Sequence, residues 1–301
     1  MYETHYGLKL NPFAVTPNPR FLYLARSHRE ALAALSYGVK QRRGFICLVG
    51  EVGTGKTTLL RALLEQLNVS ARTVMITHST LDRVDLLRMI LHELLIPHAG
   101  LTRVEMIQVL QEFVLNELFA RRPPPLILAD EAQNLGTDVL EEVRLLTNLE
   151  VGDTKLLQVI LAGQPELDRK LAQPELRQLG QRIAVRARLN PLDLEETAGY
   201  VRHRLRVAGA RDPNLFSRGA LRKVHARTGG LPRLINMVCE QAFVNAFGAN
   251  KRVVTEALVE EAARDLGLGK RDEGRRTSTT DVLAGARRSF WRSLLGLGGA
   301  S

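Results

Sequence analysis

The first residues show no hydrophobic period. Tyr2, Tyr6, Pro12, Phe13, Pro17, Pro19, Phe21 and Tyr23 form an aromatic and proline-rich lead. Proline lacks a backbone donor and restricts its predecessor, so this lead is not expected to form a regular helix; it is expected to lie as an extended strap on the domain behind it. Periodicity begins at Ser27, which reads as a helix cap with Glu30 three residues later. Ala31, Leu32, Leu35 and Val39 then recur at helical spacing up to Gly44. The apolar run 45–49 reads as a buried strand, followed by a glycine-rich loop and a helix over 57–67. Further strands are expected over 73–77, 126–129 and 156–162, and helices over 82–95, 102–119 and 138–149. Strands alternating with helices at this spacing predict an α/β fold in which a parallel sheet carries helices on both faces.

After Pro191 the strand signals fade, and helical segments at 194–208, 217–228, 232–247 and 255–266 predict a small helical domain. The expected organisation is a strap over 1–26, an α/β domain over 27–191, the helical domain over 192–268, and a linker and short amphipathic tail over 269–301. No internal repeat is visible.

Composition narrows the class. The chain has 301 residues, enough for two domains, since single cores usually stop growing near ~250 residues. With 45% hydrophobic and 25% charged residues it reads as globular, neither disordered nor membrane-embedded. Cys47 and Cys239 sit in apolar runs without metal or redox spacing, which fits core thiols in a reducing compartment. The start lacks a signal-peptide pattern and no run approaches the ~20 apolar residues of a span, so a cytoplasmic location is expected. The net charge of +10 is concentrated, because residues 176–252 hold 15 Lys and Arg against 5 Asp and Glu. Such a region suits phosphates of nucleic acid, acidic lipid or an acidic partner, and equally a solvated helix surface.

Two segments carry chemistry. Gly50, Glu51, Val52, Gly53, Thr54, Gly55, Lys56 and Thr57 fit GxxxxGK[ST] between a strand and a helix, and Thr58 joins the nucleotide-binding set. The glycines let backbone amides turn toward phosphates, the helix N-terminus adds its positive dipole, Lys56 should reach the β and γ phosphates, and Thr57 should ligate Mg²⁺. The apolar run 126–129 ends in Asp130 and Glu131. Asp130 can hold a metal-bound water, and Glu131 can polarise an attacking water as general base. His28, His78, His92 and His203 form no metal-spaced group. Phe13 and Tyr23 are expected either to border an adenine or to pack the sheet edge.

The lead, together with GEVGTGKTT, LILADEAQNL, LAGQPEL and GGLPRLIN, resembles the AAA+ ATPases of the general secretion pathway protein A type over residues 1 to about 268. The resemblance implies a P-loop AAA+ domain with a helical lid that hydrolyses ATP to ADP and phosphate with Mg²⁺. It further implies Gln164 as sensor 1, with a satisfied strand-end amide as the alternative, and Arg233 as the sensor 2 arginine. An arginine inserted beside the γ phosphate of a neighbouring subunit falls on Arg182, with Arg177, Arg186 and Arg188 close by. A homo-oligomer with ATP sites at subunit interfaces follows, driving assembly of secretion, pilus or exopolysaccharide export machinery. Neither a membrane span nor a peptidoglycan-binding domain is expected after residue 268, so direct wall binding is not expected.

The basic helical domain keeps open a DNA-associated AAA+ regulator of the transposition or initiator kind. A third reading, a nucleotide switch that hardly turns over, is opposed by Glu131. The tail sets Val282, Leu283, Phe290, Trp291, Leu294, Leu295 and Leu297 among Arg287, Arg288 and Arg292. That pattern fits peripheral contact with an anionic membrane, docking on a partner, or a disordered end.

Overall fold

The apolar runs near residues 45, 126 and 158 are long enough for a strand and too short for a helix, and all three become central strands of one parallel sheet. The computed structural model describes residues 2–16, 18–67, 72–76, 81–152 and 154–269. Its elements are α1 (Tyr2–His5), α2 (Arg26–Lys40), β1 (Phe45–Gly50), α3 (Lys56–Gln66), β2 (Thr73–Ile76), α4 (Arg83–Glu93), α5 (Arg103–Phe119), β3 (Leu126–Ala129), α6 (Thr137–Leu146), β4 (Glu150–Val151), β5 (Thr154–Lys155) and β6 (Gln158–Gly163). There follow α7 (Pro165–Leu171), α8 (Arg177–Arg182), β7 (Ile183–Leu189), α9 (Leu194–Val207), α10 (Arg218–Thr228), α11 (Pro232–Gly248) and α12 (Glu256–Asp265). Thr77, His78 and the tail from residue 270 lie outside the described residues.

Two units are distinguished. The first joins Arg26–Glu51 to Lys56–Asn190 and holds the sheet, in the order β2-β3-β6-β1-β7 with every neighbour parallel. Side chains alternate between two cores. Phe45, Cys47, Val49, Ile127, Ala129, Val159 and Leu161 face one with α4 to α7, while Ile46, Leu48, Leu126, Leu128, Ile160 and Ala162 face the other with α2 and α3. The expected sheet covered on both faces is therefore present. Helix α2 begins at Arg26 and takes Ser27 into its body, so Ser27 is not the cap; its hydroxyl accepts from Asn190 N at 3.3 Å. Residues at the end of the expected 138–149 helix instead lead into the antiparallel β4–β5 hairpin.

The second unit joins the residues up to Ala25, Val52–Gly55 and the described residues from Pro191 onward. Here the expectation for the lead is corrected. Tyr2–His5 does form one helical turn, and Tyr2, Tyr6, Phe13 and Phe21 are buried in the core built with α9 to α12, with Tyr23 partly buried against it. Phe13 is fully buried against Phe216 and Phe243, so it borders neither an adenine nor the sheet edge, and Tyr23 packs on Tyr200 and His203. Arg204 fixes the lead by donating to the carbonyls of Pro12 and Ala14 while lying over the Phe21 ring. Prolines leave carbonyls unanswered by local amides, and a buried guanidinium with five donors can serve several of them.

Candidate functional site

The site of the first unit forms at the carboxyl ends of three adjacent strands. β6 lies between β3 and β1, with Ala129 beside Leu161 and Val49 beside Gly163. Ligands of open parallel sheets collect at these carboxyl ends. β1 delivers Gly50 and Glu51, and α3 starts at Lys56, whose buried ammonium donates to the carbonyls of Gly50 at 2.8 Å and Glu51 at 3.3 Å. Burial lowers the Lys56 value, and the charges of Glu131, Asp130, Glu51 and Glu166 oppose that loss. Thr57 Oγ1 donates to Asp130 Oδ2 at 2.6 Å. A hydroxyl and a carboxylate in contact at the mouth of the loop are the hard oxygen donors that Mg²⁺ takes, so the residues present fit a magnesium nucleotide.

Glu131 has φ 53° and ψ 39°, the left-handed region that costs a residue with a Cβ. That conformation turns the chain at the end of β3 into a short 3₁₀ turn, Ala132–Asn134, with Glu131 N donating to Asp130 Oδ1 at 3.0 Å. Glu131 Oε2 accepts from Gln133 Nε2 at 2.6 Å and from Gln164 Nε2 at 2.8 Å. Partial burial pushes the Glu131 carboxyl up, but these two amides and the Lys56 charge outweigh it and hold the group below the ordinary carboxylate range. Gln164 follows β6 as the N-cap of α7, and its backbone amide donates to Gln133 Oε1 at 3.1 Å. The sequence pattern did not single out Gln133, although it stands two residues after Glu131 in the run Asp130-Glu131-Ala132-Gln133.

In the second unit, Arg233 N at the start of α11 donates to Gly53 O at 3.1 Å. Gly53 has φ +81°, and a Cβ there would lie 2.6 Å from the Arg233 Cβ, so this close approach needs glycine. Val52, Thr54 and Gly55 complete the middle of the loop, with Thr54 fully buried.

Four arginines flank α8 and β7 in the first unit. Arg186 and Arg188 pair with Asp168 at 3.3 and 2.5 Å, whereas exposed Arg182 donates to the Asn148 side chain and exposed Arg177 makes no ion pair among the described residues. His28 is buried in α2, and His92 lies edge-on to His98. Among the described residues no cluster of three or more His, Cys, Asp or Glu could hold a metal, and no helix is long and apolar enough to cross a membrane.

A family model described as an AAA domain matches residues 39–171. General secretion pathway protein A of Aeromonas hydrophila is 44% identical over 290 residues, which cover 95% of this chain and 52% of that protein. The chain thus spans about half the length of this curated relative. Among solved structures, Cdc6p of Pyrobaculum aerophilum matches with a TM-score of 0.64 at 20% identity, over 84% of this chain and 70% of that one. The ORC2 protein of Aeropyrum pernix, solved in ADPNP–ADP complexes, gives 0.62 at 16% identity over 89% and 75%. Drosophila ORC bound to DNA gives 0.63 at 18% identity over 96% and 78%. At such identities these likenesses concern the fold, and they bear out the expected AAA+ architecture; the resemblance to general secretion pathway protein A is borne out by the sequence match.

Proposed function

On the premise that this chain is an AAA+ protein related to general secretion pathway protein A, we propose that it binds ATP with Mg²⁺ and hydrolyses it to ADP and phosphate. The observation that carries this reading is the grouping of Lys56, the Thr57–Asp130 pair and Glu131 at the carboxyl ends of β1 and β3. The loop from Gly50 to Thr58 would hold the phosphates, with Lys56 neutralising the β and γ oxygens. Mg²⁺, held by Thr57 and Asp130, would draw charge from the phosphate oxygens. Water attacks the γ phosphorus while a carboxylate oxygen of Glu131 takes its proton. The bond from that phosphorus to the bridging oxygen breaks, and ADP leaves. Gln164 orients Glu131, Arg233 stabilises the phosphates, and Arg182 acts on the site of a neighbouring copy. Secretion is the process we assign to the cycle, from the relative's name alone.

Nucleotide titration and phosphate release test this. Lys56→Ala should remove most ATP affinity, and Glu131→Gln should keep affinity while slowing turnover by about 100-fold or more. Full turnover by Glu131→Gln would remove the general-base role.

A second reading, DNA association, draws on Arg202, Arg206, Arg211, Arg218 and Arg222 in the second unit, which form no ion pair among the described residues. Binding through phosphates must weaken steeply with salt. A DNA titration at two salt concentrations, with and without ATP, separates it from the first reading.

A further inference from the structure

Gln133 has a bonding pattern that a turn residue does not need. Its Nε2 donates to Glu131 Oε2 at 2.6 Å, and its Oε1 accepts from the backbone amide of Gln164 at 3.1 Å. One side chain therefore ties the carboxylate at the end of β3 to the main chain at the end of β6. Only a group carrying a donor and an acceptor together can do this, and the amide of glutamine is such a group.

Two neighbours are shaped to keep it there. A Cβ on Gly163, the last residue of β6, would stand 2.7 Å from Gln133 Oε1 and 2.9 Å from a Leu167 methyl carbon, so the absence of a side chain makes the space that Gln133 fills. From α7, the Lys170 ammonium donates to Gln133 O at 3.1 Å and also to Leu135 O, fixing the turn from its other side. Both Gln133 and Gln164 reach the same oxygen of Glu131. Oε1 lies outside both bonds. Without them the carboxylate is free to rotate on its two-methylene stem, and reaction rates fall steeply when a catalytic group is misplaced by as little as ~1 Å.

We infer that Gln133 is a positioning residue for the hydrolysis proposed above, holding Glu131 through Oε2 so that Oε1 is the oxygen that accepts the proton of the attacking water. The inference rests on that reading of the site. It adds a residue that contacts neither nucleotide nor metal in the proposed scheme and acts only through Glu131.

The test compares wild type, Gln133→Leu, the nearly isosteric Gln133→Glu, Glu131→Gln, and Gln133→Leu combined with Glu131→Gln. ATP affinity, kcat and thermal midpoint are measured for each. Gln133→Leu should keep ATP affinity within about twofold and lower kcat by about tenfold or more, the pattern of an interaction that matters only in the transition state. Gln133→Glu, which has no donor and sets a carboxylate against a carboxylate, should lower kcat at least as far. In the Glu131→Gln background, Gln133→Leu should have no further effect on residual turnover, because the group it positions is gone. An unchanged or raised kcat in the folded single variants would overturn the inference, as would an equal loss in both backgrounds, which would make Gln133 merely structural. Wild-type protein that binds ATP and releases no phosphate would overturn the hydrolysis reading and the inference with it. Wild-type turnover that depends on Glu131 but not on Gln133 would sink the inference alone.

Discussion

Thr57 Oγ1 donates to Asp130 Oδ2 across 2.6 Å, joining the first turn of α3 to the end of β3 over 73 positions of sequence. The hydroxyl and the carboxylate are complementary here, and in the proposed scheme they would serve as two oxygen ligands of Mg²⁺. Thr57→Ser should retain Mg²⁺-dependent turnover, whereas Thr57→Val and Asp130→Ala should lose about 100-fold or more. Turnover measured across a Mg²⁺ titration checks this, and equal activity of the serine and valine variants would remove Thr57 as a ligand.

Arg182 is exposed and donates to the side-chain amide of Asn148, while Arg186 and Arg188 share Asp168 within the same chain. Arg182 and Arg177, neither in an ion pair among the described residues, both remain available for the action on a neighbouring copy proposed above for Arg182. Mixing Arg182→Ala chains with Lys56→Ala chains should therefore rescue part of the activity each lacks alone. Mixed assemblies that stay inactive would count against action across a subunit boundary.

Glu240 on α11 accepts from Tyr2 Oη at 2.7 Å and from Asn11 Nδ2 at 3.0 Å. Burial raises its carboxyl by more than those two hydrogen bonds and the Arg204 charge lower it. A group whose native value is raised contributes stability that is full below its unfolded value and is lost as pH rises through the native one. Glu240→Gln removes that loss. In urea unfolding the variant should gain on wild type between about pH 4 and about pH 8, on either side of the ordinary carboxylate range. A stability difference that is the same at both pH values would refute the assignment.

Glu142 in α6 is fully buried, and both of its carboxylate oxygens accept from Arg103 Nη2 of α5, at 2.7 and 2.8 Å. Removing the arginine strands a charge in the core. The Arg103 side chain is 38% exposed, which screens the pair, so Arg103→Ala should cost about 2–3 kcal/mol, less than the roughly 3–5 kcal/mol typical of fully buried pairs. Glu142→Gln, which leaves no buried charge, should cost less. Equilibrium unfolding of both variants tests the ordering.

Elements whose signals are local were legible in the residues alone. The apolar run 126–129 coincides with β3, the helix expected over 102–119 begins with the capping box of Thr102 and Glu105, and the glycine loop lies between a buried strand and a helix. Each of these depends on residues within a few positions of one another, where side-chain period and cap chemistry act directly. Where charge or shortness blurred the period, periodicity alone named no strand. β7, the strand that the family resemblance implies after Arg182, alternates Val185 and Ala187 with exposed Arg186 and Arg188 at the sheet edge, and β4 and β5 have two residues each.

Only the tertiary structure decided what the aromatic lead covers and which groups hold Glu131. Aromatic and proline residues state that a surface must be covered without stating which, and here the cover is for α9 to α12. Gln133 gains its significance from β6, which inserts between β3 and β1, brings the Gln164 amide to within hydrogen-bonding reach of a turn some thirty residues earlier, and sets the side-chain-free Gly163 against Gln133 Oε1. Sequence spacing records the motif residues, but strand order is a non-local choice, and the geometry around the carboxylate exists only once that choice has been made.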